Sequence, residues 1–241
     1  MDPTLSVVLP AYNEAERLPP FLASVRRYLD AAEPGRYEVI VVDDGSNDRL
    51  PELLASLAEE WPPLRVMRHR ENCGKGAAVR TGMLAASGER LVFADADGAT
   101  PIEEEARLAD SIRAGADVAV GSRLLAADGQ TRRRSWVRGL AGRFFAALAR
   151  WWLGVKVRDP QCGFKMFRRK AARELFRRSK ESRYLFDLEL LVLAGQLGYR
   201  VVEVPVSWSE VPGGHLSLAR ELFKLPLALW RLRRRLFRGR C

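Results

Sequence analysis

Five runs of β-branched and apolar residues, each closing on a polar cluster and separated by four helical patterns, constrain the fold of this chain more than any other feature. The runs are LSVVLP ending at Pro10, YEVIVVDD from Tyr37, LRVMR from Leu64, RLVFADAD from Arg90 and ADVAVGSR from Ala116. The intervening stretches, EAERLPPFLASVRRYLDAA, RLPELLASLAEEW, GKGAAVRTGMLAAS and PIEEEARLADSIRAG, read as helices. Parallel strands need crossover connections, and helices are the usual solution. The alternation therefore predicts an α/β fold, Rossmann-like, with a mostly parallel sheet and helices on both faces.

In open sheets of this kind ligands bind at the carboxyl ends of the strands. The polar clusters fall there: Asn13 and Glu14 after the first run, Asp43 and Asp44 after the second, Asn72 to Gly76 after the third, Asp95 and Asp97 after the fourth. For Asn13 or Asp48 alone, capping of the next helix explains the residue as well as ligand binding does. A cap needs only one side chain, however, and Asp95 and Asp97 stand one residue apart where both can project into the crevice. Two hard oxygen ligands, with the rest of the coordination sphere left for phosphates and water, suit Mg2+ or Mn2+. The GKG at Gly74–Gly76 is not a P-loop, because no GxxxxGK[ST] spacing surrounds it. With only His69 and His215 in the chain, a histidine triad or a histidine-rich zinc centre has little material.

At 241 residues and 47% hydrophobic content the chain can bury a full core, most simply as one domain with an appended C-terminal element. The opening MDPTLSVVLP has neither a basic n-region nor a long apolar h-region, which leads to the expectation of a cytoplasmic protein. Cys73, Cys162 and Cys241 are far apart and read as free thiols. No window reaches the roughly 18 uninterrupted apolar residues of a membrane span, so any membrane contact is expected to be peripheral. Charge is divided unevenly. Residues 1–130 carry 14 Lys and Arg against 22 Asp and Glu, net −8, and residues 131–241 carry 26 against 8, net +18. The basic half calls for an acidic partner: nucleic acid, an anionic membrane or a phosphorylated substrate.

The ordered set LPAYNE, VVDDGSND, NCGKGAAVRTG, FADADGA, GSR, DPQCGFKMF and EVPVSW resembles the family 2 inverting glycosyltransferases of the GT-A fold, and among them the polyprenyl-phosphate sugar transferases. The resemblance runs from Ser6 to about Trp208, and the DADGAT and DPQCGFK wording is closer to the glucosyl branch than to the mannose synthases. It implies a UDP-sugar donor with Pro10, Ala11, Tyr12 and Glu14 about the uridine or its ribose, and Asp43 and Asp44 toward the base. It places Lys75 and Ala96 near the nucleotide, with Asp95 and Asp97 as metal ligands and Asp97 catalytic. A lipid phosphate acceptor is already anionic, so it needs cations rather than a base. Arg123, Arg134 and Arg138 are the candidates, although arginines of the RRR run at 132–134 read equally well as a solvated basic face. Asp159, Gln161 and Lys165 are expected on the acceptor side, as are Asp187 and Glu189, which occupy a region where hydroxyl-using relatives often keep a base and for which a structural role is the alternative.

The GLAGRFFAALARWWLGV stretch, Gly139 to Val155, sets Arg143 and Arg150 against Phe144, Phe145, Leu148, Trp151 and Trp152, an interfacial pattern that also fits a core helix. LARELFKLPLALWRLRRRLFRGR sets Leu222, Phe223, Leu229, Trp230, Leu232, Leu236 and Phe237 against Arg231, Arg233, Arg234, Arg235 and Arg238, a pattern for anionic headgroups or for a packing tail. Pro226 is expected to kink or break it. These readings divide the chain into a GT-A domain over 1–212, with a nucleotide-sugar half (1–130) and an acceptor half (131–212), and amphipathic C-terminal helices over 213–241 forming a basic membrane-association element. The expected function is glucosyl transfer from UDP-glucose to a polyprenyl or dolichyl phosphate, by an enzyme peripherally associated with the cytosolic membrane face. Mannosyl transfer from GDP-mannose and transfer to a soluble or polysaccharide acceptor are the alternatives. A basic nucleic-acid-binding protein is disfavoured, because no helix-turn-helix, RRM, KH or zinc-finger signature is present. A homo-oligomer stays open.

Overall fold

The structure is a computed structural model that describes residues 2–125, 132–133, 147, 150–211 and 218–237, with only the backbone described at 132–133 and 218–225. The first half follows the alternation: β1 (Leu5–Ala11), α1 (Leu18–Ala32), β2 (Tyr37–Asp43), α2 (Leu50–Glu60), β3 (Leu64–Arg68), α3 (Lys75–Ala85), β4 (Arg90–Ala94), a 3-10 turn (Ile102–Glu104) leading into α4 (Glu105–Arg113), and β5 (Val118–Ser122). The second half adds β6 (Arg132–Arg133), β7 (Phe164–Arg168), α5 (Arg169–Arg178), α6 (Phe186–Gln196), β8 (Val201–Pro205), β9 (Trp208–Ser209) and α7 (Leu218–Phe237).

Seven strands form one sheet in the order β3-β2-β1-β4-β7-β5-β8, and β6 pairs with β9 in a small second sheet. All neighbours in the large sheet are parallel except at β7, which lies antiparallel to both β4 and β5. The sequence reading puts β4 and β5 in one parallel sheet. The structure separates them by a strand that arrives some forty residues after β5.

Alternation along each strand sorts side chains into two apolar layers. Val7, Leu9, Val39, Val41 and Val92 face α1, α2 and α4. Val8, Ile40, Val42, Leu91 and Phe93 face α3, α5, α6 and α7 on the other side. On β7 the same alternation turns Phe164 and Met166 into the first layer and Phe167 into the second. Lys165 lies between them in the strand, fully buried, in register with Phe93 of β4 and Val120 of β5. Helix α7 runs on through Pro226 without a break. Its Leu229 and Leu232 are buried in the second layer, whereas Leu227 and Trp230 on the same helix are exposed.

Candidate active site

The carboxyl end of β4 forms the floor of a cleft of about 240 Å3. The strand releases Asp95 and Asp97 into it. Asp95 is held from behind: its N–H donates to the Gly163 carbonyl at 3.0 Å. A Cβ on Gly163 would lie 2.1 Å from Asp95 Oδ2, so only glycine lets the loop before β7 pass this carboxylate. Asp97 Oδ1 accepts the Ala99 N–H at 3.0 Å, which turns the chain away toward α4.

Charge in the cleft is unbalanced. Lys75, at the first position of α3, puts Nζ 2.5 Å from Asp95 Oδ1. That oxygen is out of contact with solvent, and no donor meets it at a hydrogen-bonding angle. Burial opposes the Lys75 charge, but Asp95, then Asp187 and Asp97, hold its pKa well above the ordinary lysine value. Burial, and then the charge of Asp95, raise the pKa of the Asp97 carboxyl. Two close carboxylates with a single ammonium, one oxygen lacking a hydrogen bond and a glycine cradle behind them make a hard-oxygen donor pair that fits a divalent cation such as Mg2+ or Mn2+.

Pro10, Ala11, Tyr12 and Glu14, leaving β1, form one wall, and Ala96 closes the floor between the aspartates. Glu14 takes a fork from Arg17 at its Oε2 (2.7 Å) and Oε1, and Arg17 also lines the cleft. Asp44 lines the cleft with its carboxylate committed, accepting the N–H groups of Cys73 (3.0 Å) and Gly74 (2.8 Å) and facing His69 Nδ1 at 2.7 Å. It holds the loop that delivers Lys75. Asp43 is fully buried beneath, accepting the Ser46 N–H at 2.9 Å and pairing with Arg68 Nε at 3.0 Å. The structure therefore brings together Pro10, Ala11, Tyr12, Glu14, Asp44, Lys75, Asp95, Ala96 and Asp97, and puts Asp43 behind the wall rather than in it.

The residues expected on the acceptor side are a supporting lattice. Arg123 forks onto Asp159 with both guanidinium contacts at 2.8 Å, and its own N–H meets the same carboxylate at 2.9 Å. This pair anchors the loop that carries Gln161 and Gly163. Lys165 donates to Asp187 Oδ1 at 2.6 Å and to the Cys162 carbonyl at 2.5 Å, wholly inside the protein. Burial pushes the Asp187 carboxyl up, with Lys165 and then Lys75 pulling the other way. Glu189 is buried and accepts from Ser179 Oγ (2.7 Å), the N–H groups of Lys180 (3.0 Å) and Glu181 (2.7 Å), and Arg235 Nη2 (2.8 Å). Arg134 and Arg138 lie outside the described residues, as does most of the 139–155 stretch. Arg183 and Tyr184 also line the cleft, and the sequence reading passes over them along with Arg17 and Gly163. Gly163 sits in the DPQCGFK motif, but nothing in the spacing of Arg183 or Tyr184 marks them.

Comparison with known proteins agrees with this fold. Residues 6–176 match the family described as Glycosyl transferase family 2. The chain is 39% identical over 241 aligned residues to the dolichyl-phosphate beta-glucosyltransferase of Drosophila melanogaster, covering 92% of this chain and 74% of that one. It is 36% identical to the Homo sapiens protein of the same name, over 88% of this chain and 69% of that one. Among solved structures, glucosyl-3-phosphoglycerate synthase from Mycobacterium tuberculosis, in complex with Mn2+, UDP and glucosyl-3-phosphoglycerate, superposes with a TM-score of 0.70 at 23% identity, over 96% of this chain and 80% of that one. A mannosyltransferase from Pyrobaculum calidifontis in complex with GDP-Man and Mn2+ superposes at 0.61 with 22% identity, over 92% and 61%.

Proposed function

The chain is a member of glycosyl transferase family 2 with the GT-A fold, and from that premise we propose that it transfers glucose from UDP-glucose to a polyprenyl phosphate of the dolichyl type. One observation of the site carries the phosphate acceptor. Among the described residues that line or underlie the cleft, the carboxylates other than Asp95 and Asp97 are committed: Glu14 to Arg17, Asp43 to Ser46 and Arg68, Asp44 to the 73–74 loop, Asp187 to Lys165 and Glu189 to its donors. A hydroxyl acceptor needs a carboxylate base, whereas a phosphate arrives ionised. The names of the relatives that match most of the chain support the same acceptor and the glucosyl group.

Asp95 and Asp97 would hold Mg2+ or Mn2+, which when bound supplies charge neutralisation for the departing diphosphate. Lys75 adds a fixed positive charge on the same side. The Pro10–Glu14 wall and the Asp44-anchored loop orient the nucleotide. The acceptor phosphate oxygen attacks the anomeric carbon from the face opposite UDP, the new C–O–P link forms as the bond to the β-phosphate breaks, and the α-linked sugar becomes β-linked.

We also propose that residues 213–241 act as a membrane-association element on a catalytic domain formed by 1–212, with its nucleotide-sugar half over 1–130 and acceptor half over 131–212. No helix among the described residues is long and apolar enough to cross a membrane. Trp151 is 77% exposed and Trp230 48% exposed, and Arg234 stacks 5.3 Å from the Trp230 ring centroid. Aromatic faces beside guanidinium groups suit an anionic lipid surface. The test is incubation of the purified chain with radiolabelled UDP-glucose, a short polyprenyl phosphate and Mg2+ or Mn2+. Label entering the organic phase, and lost with EDTA, is the expected result. Exclusive use of GDP-mannose, or of a non-phosphorylated acceptor, overturns the reading.

A further inference from the structure

The proposed reaction needs a cation for the acceptor phosphate, and most cations around the cleft are already engaged. Arg17 is paired with Glu14, Lys75 with Asp95, Arg123 with Asp159 and Lys165 with Asp187. Arg183 differs. It lines the cleft, it is exposed, and its guanidinium has no carboxylate partner among the described residues. Its stem stands beside Gly74, at the glycine-rich start of α3.

The backbone that carries Arg183 is fixed from two directions. In front, the 181–183 segment lies directly on the start of α3. Ala77 N–H donates to the Ser182 carbonyl at 3.1 Å, and a Cβ on Gly74 or Gly76 would come within 2.4 Å of Ser182 O or 2.7 Å of Glu181 O. The Arg183 stem passes beside Gly74, with its Cγ 3.2 Å from where a Cβ there would stand. Behind, buried Glu189 gathers the N–H groups of Lys180 and Glu181 and the Ser179 hydroxyl into one carboxylate. The same carboxylate takes Arg235 of α7 at 2.8 Å, and Arg235 also reaches Glu181 at 3.3 Å. A residue of the basic C-terminal helix is thus two contacts away from the cleft wall.

Deepening the function proposed above, on which this rests, we propose that Arg183 binds the phosphate of the acceptor, and that Glu189 and Arg235 are positioning residues that set its segment. The guanidinium fork matches two phosphate oxygens, and its exposure at the cleft leaves it accessible to a phosphate carrying a long apolar tail. The link through Arg235 joins the helix that presents Trp230 to the wall that receives the phosphate.

The test uses the full chain with UDP-glucose and a short water-soluble polyprenyl phosphate. Arg183→Ala should raise the acceptor KM by about tenfold to a hundredfold, the range for losing a charge-assisted contact, while UDP affinity measured by calorimetry and the KM for UDP-glucose stay within about threefold. Arg183→Lys, which keeps the charge without the fork, should fall between. Arg235→Gln should raise the acceptor KM by a smaller factor, Arg235→Lys should restore much of it, and Arg235→Gln added to Arg183→Ala should bring no further loss, since a positioning effect needs the residue it positions. Unchanged acceptor KM in Arg183→Ala, or an equal loss of UDP affinity, overturns the assignment while wild-type transfer leaves the proposed reaction standing. Wild-type protein that does not glucosylate the polyprenyl phosphate sinks the proposed reaction and this assignment together.

Discussion

The region before residue 125 and the region after residue 150 build the same cleft by different means. In the first, the cleft-lining side chains sit where a strand ends: Pro10 to Glu14 at the end of β1, Asp44 after β2, Lys75 after β3, Asp95 to Asp97 after β4. In the second, the contributions come from the middle of a strand, from loop backbone and from a helix interior: Lys165 in β7, Gly163 just before it, Arg183 between helices, Glu189 within α6. The first region supplies the cleft carboxylates together with their nearest cations, Lys75 and Arg17, and the second supplies the Gly163 backbone that cradles Asp95 from behind.

If the second region is truly a support, breaking its buried ion pair should cost stability first. Lys165→Ala leaves Asp187 buried without its cation, and a loss of about 3 to 5 kcal/mol in denaturant unfolding is expected. Lys165→Met combined with Asp187→Leu should recover most of that loss. A single variant as stable as the wild type would mean the pair belongs to the cleft and not to the support.

The reverse holds for the first region. Asp97→Ala removes a half-buried cleft carboxylate and no core packing, so its melting temperature should stay within a few degrees while transfer falls by about 10^2 to 10^3, the range for losing one preorganised electrostatic element. Activity within a few fold at saturating Mg2+ breaks the comparison at its centre.

Gly163→Ala sharpens it, since the residue belongs to the second region and acts on the first. The added methyl must push the Asp95 carboxylate or the loop aside. A displacement of this order at a reacting centre costs about 10^2-fold, and the metal requirement should shift to higher concentration. An unaltered metal titration would show that Asp95 has room to spare.

Smaller effects are expected at the surface of the second region. Arg231→Ser with Arg234→Ser should weaken binding to anionic vesicles by roughly 1 kcal/mol per residue, read by flotation, with high salt imitating part of the change. These charges are the informative targets, because truncation at Pro226 would also remove buried Leu229 and Leu232 and so confound binding with folding. Flotation indifferent to both the double variant and salt would confine any lipid contact to exposed Trp151 and its neighbours.

The smallest effect is an acid one. Burial alone would raise the Asp159 pKa, but the Arg123 fork outweighs burial and holds the carboxyl below its ordinary value. A depressed folded-state pKa contributes stability that is complete above the unfolded value of about 3.9 and is lost as pH falls through the lower folded value. Asp159→Asn should therefore flatten the acid limb of the stability profile below pH 4 without moving it at neutral pH beyond the constant cost of the lost pair. An acid limb identical to the wild type would show that the fork does not survive in solution.

What the sequence determines by itself is local. Apolar runs of strand length, helical periodicity between them and glycines at turns need only neighbours in the chain, so the α/β layering was legible, and so was the edge where the polar clusters gather. Asp95 and Asp97 could be read because residues i and i+2 leaving a strand share a direction whatever the rest of the fold does. Register between distant segments is another matter. The antiparallel entry of β7 between β4 and β5 was invisible, because FKMFR carries a lysine where a central strand should be apolar, and only its pairing with Asp187, itself in α6, makes that lysine tolerable inside. For the same reason Asp187 and Glu189 read in the sequence as acceptor-side residues or structural ones alike: a carboxylate in a sequence shows its charge and not its donors. Arg123 shows in the sequence as a candidate for the acceptor phosphate, and nothing there reveals that Asp159, 36 residues on, takes its fork. Tertiary structure decided which charges are spent on holding the protein together and which are left to meet a substrate, because that division depends on partners brought in from far along the chain, and burial settles it.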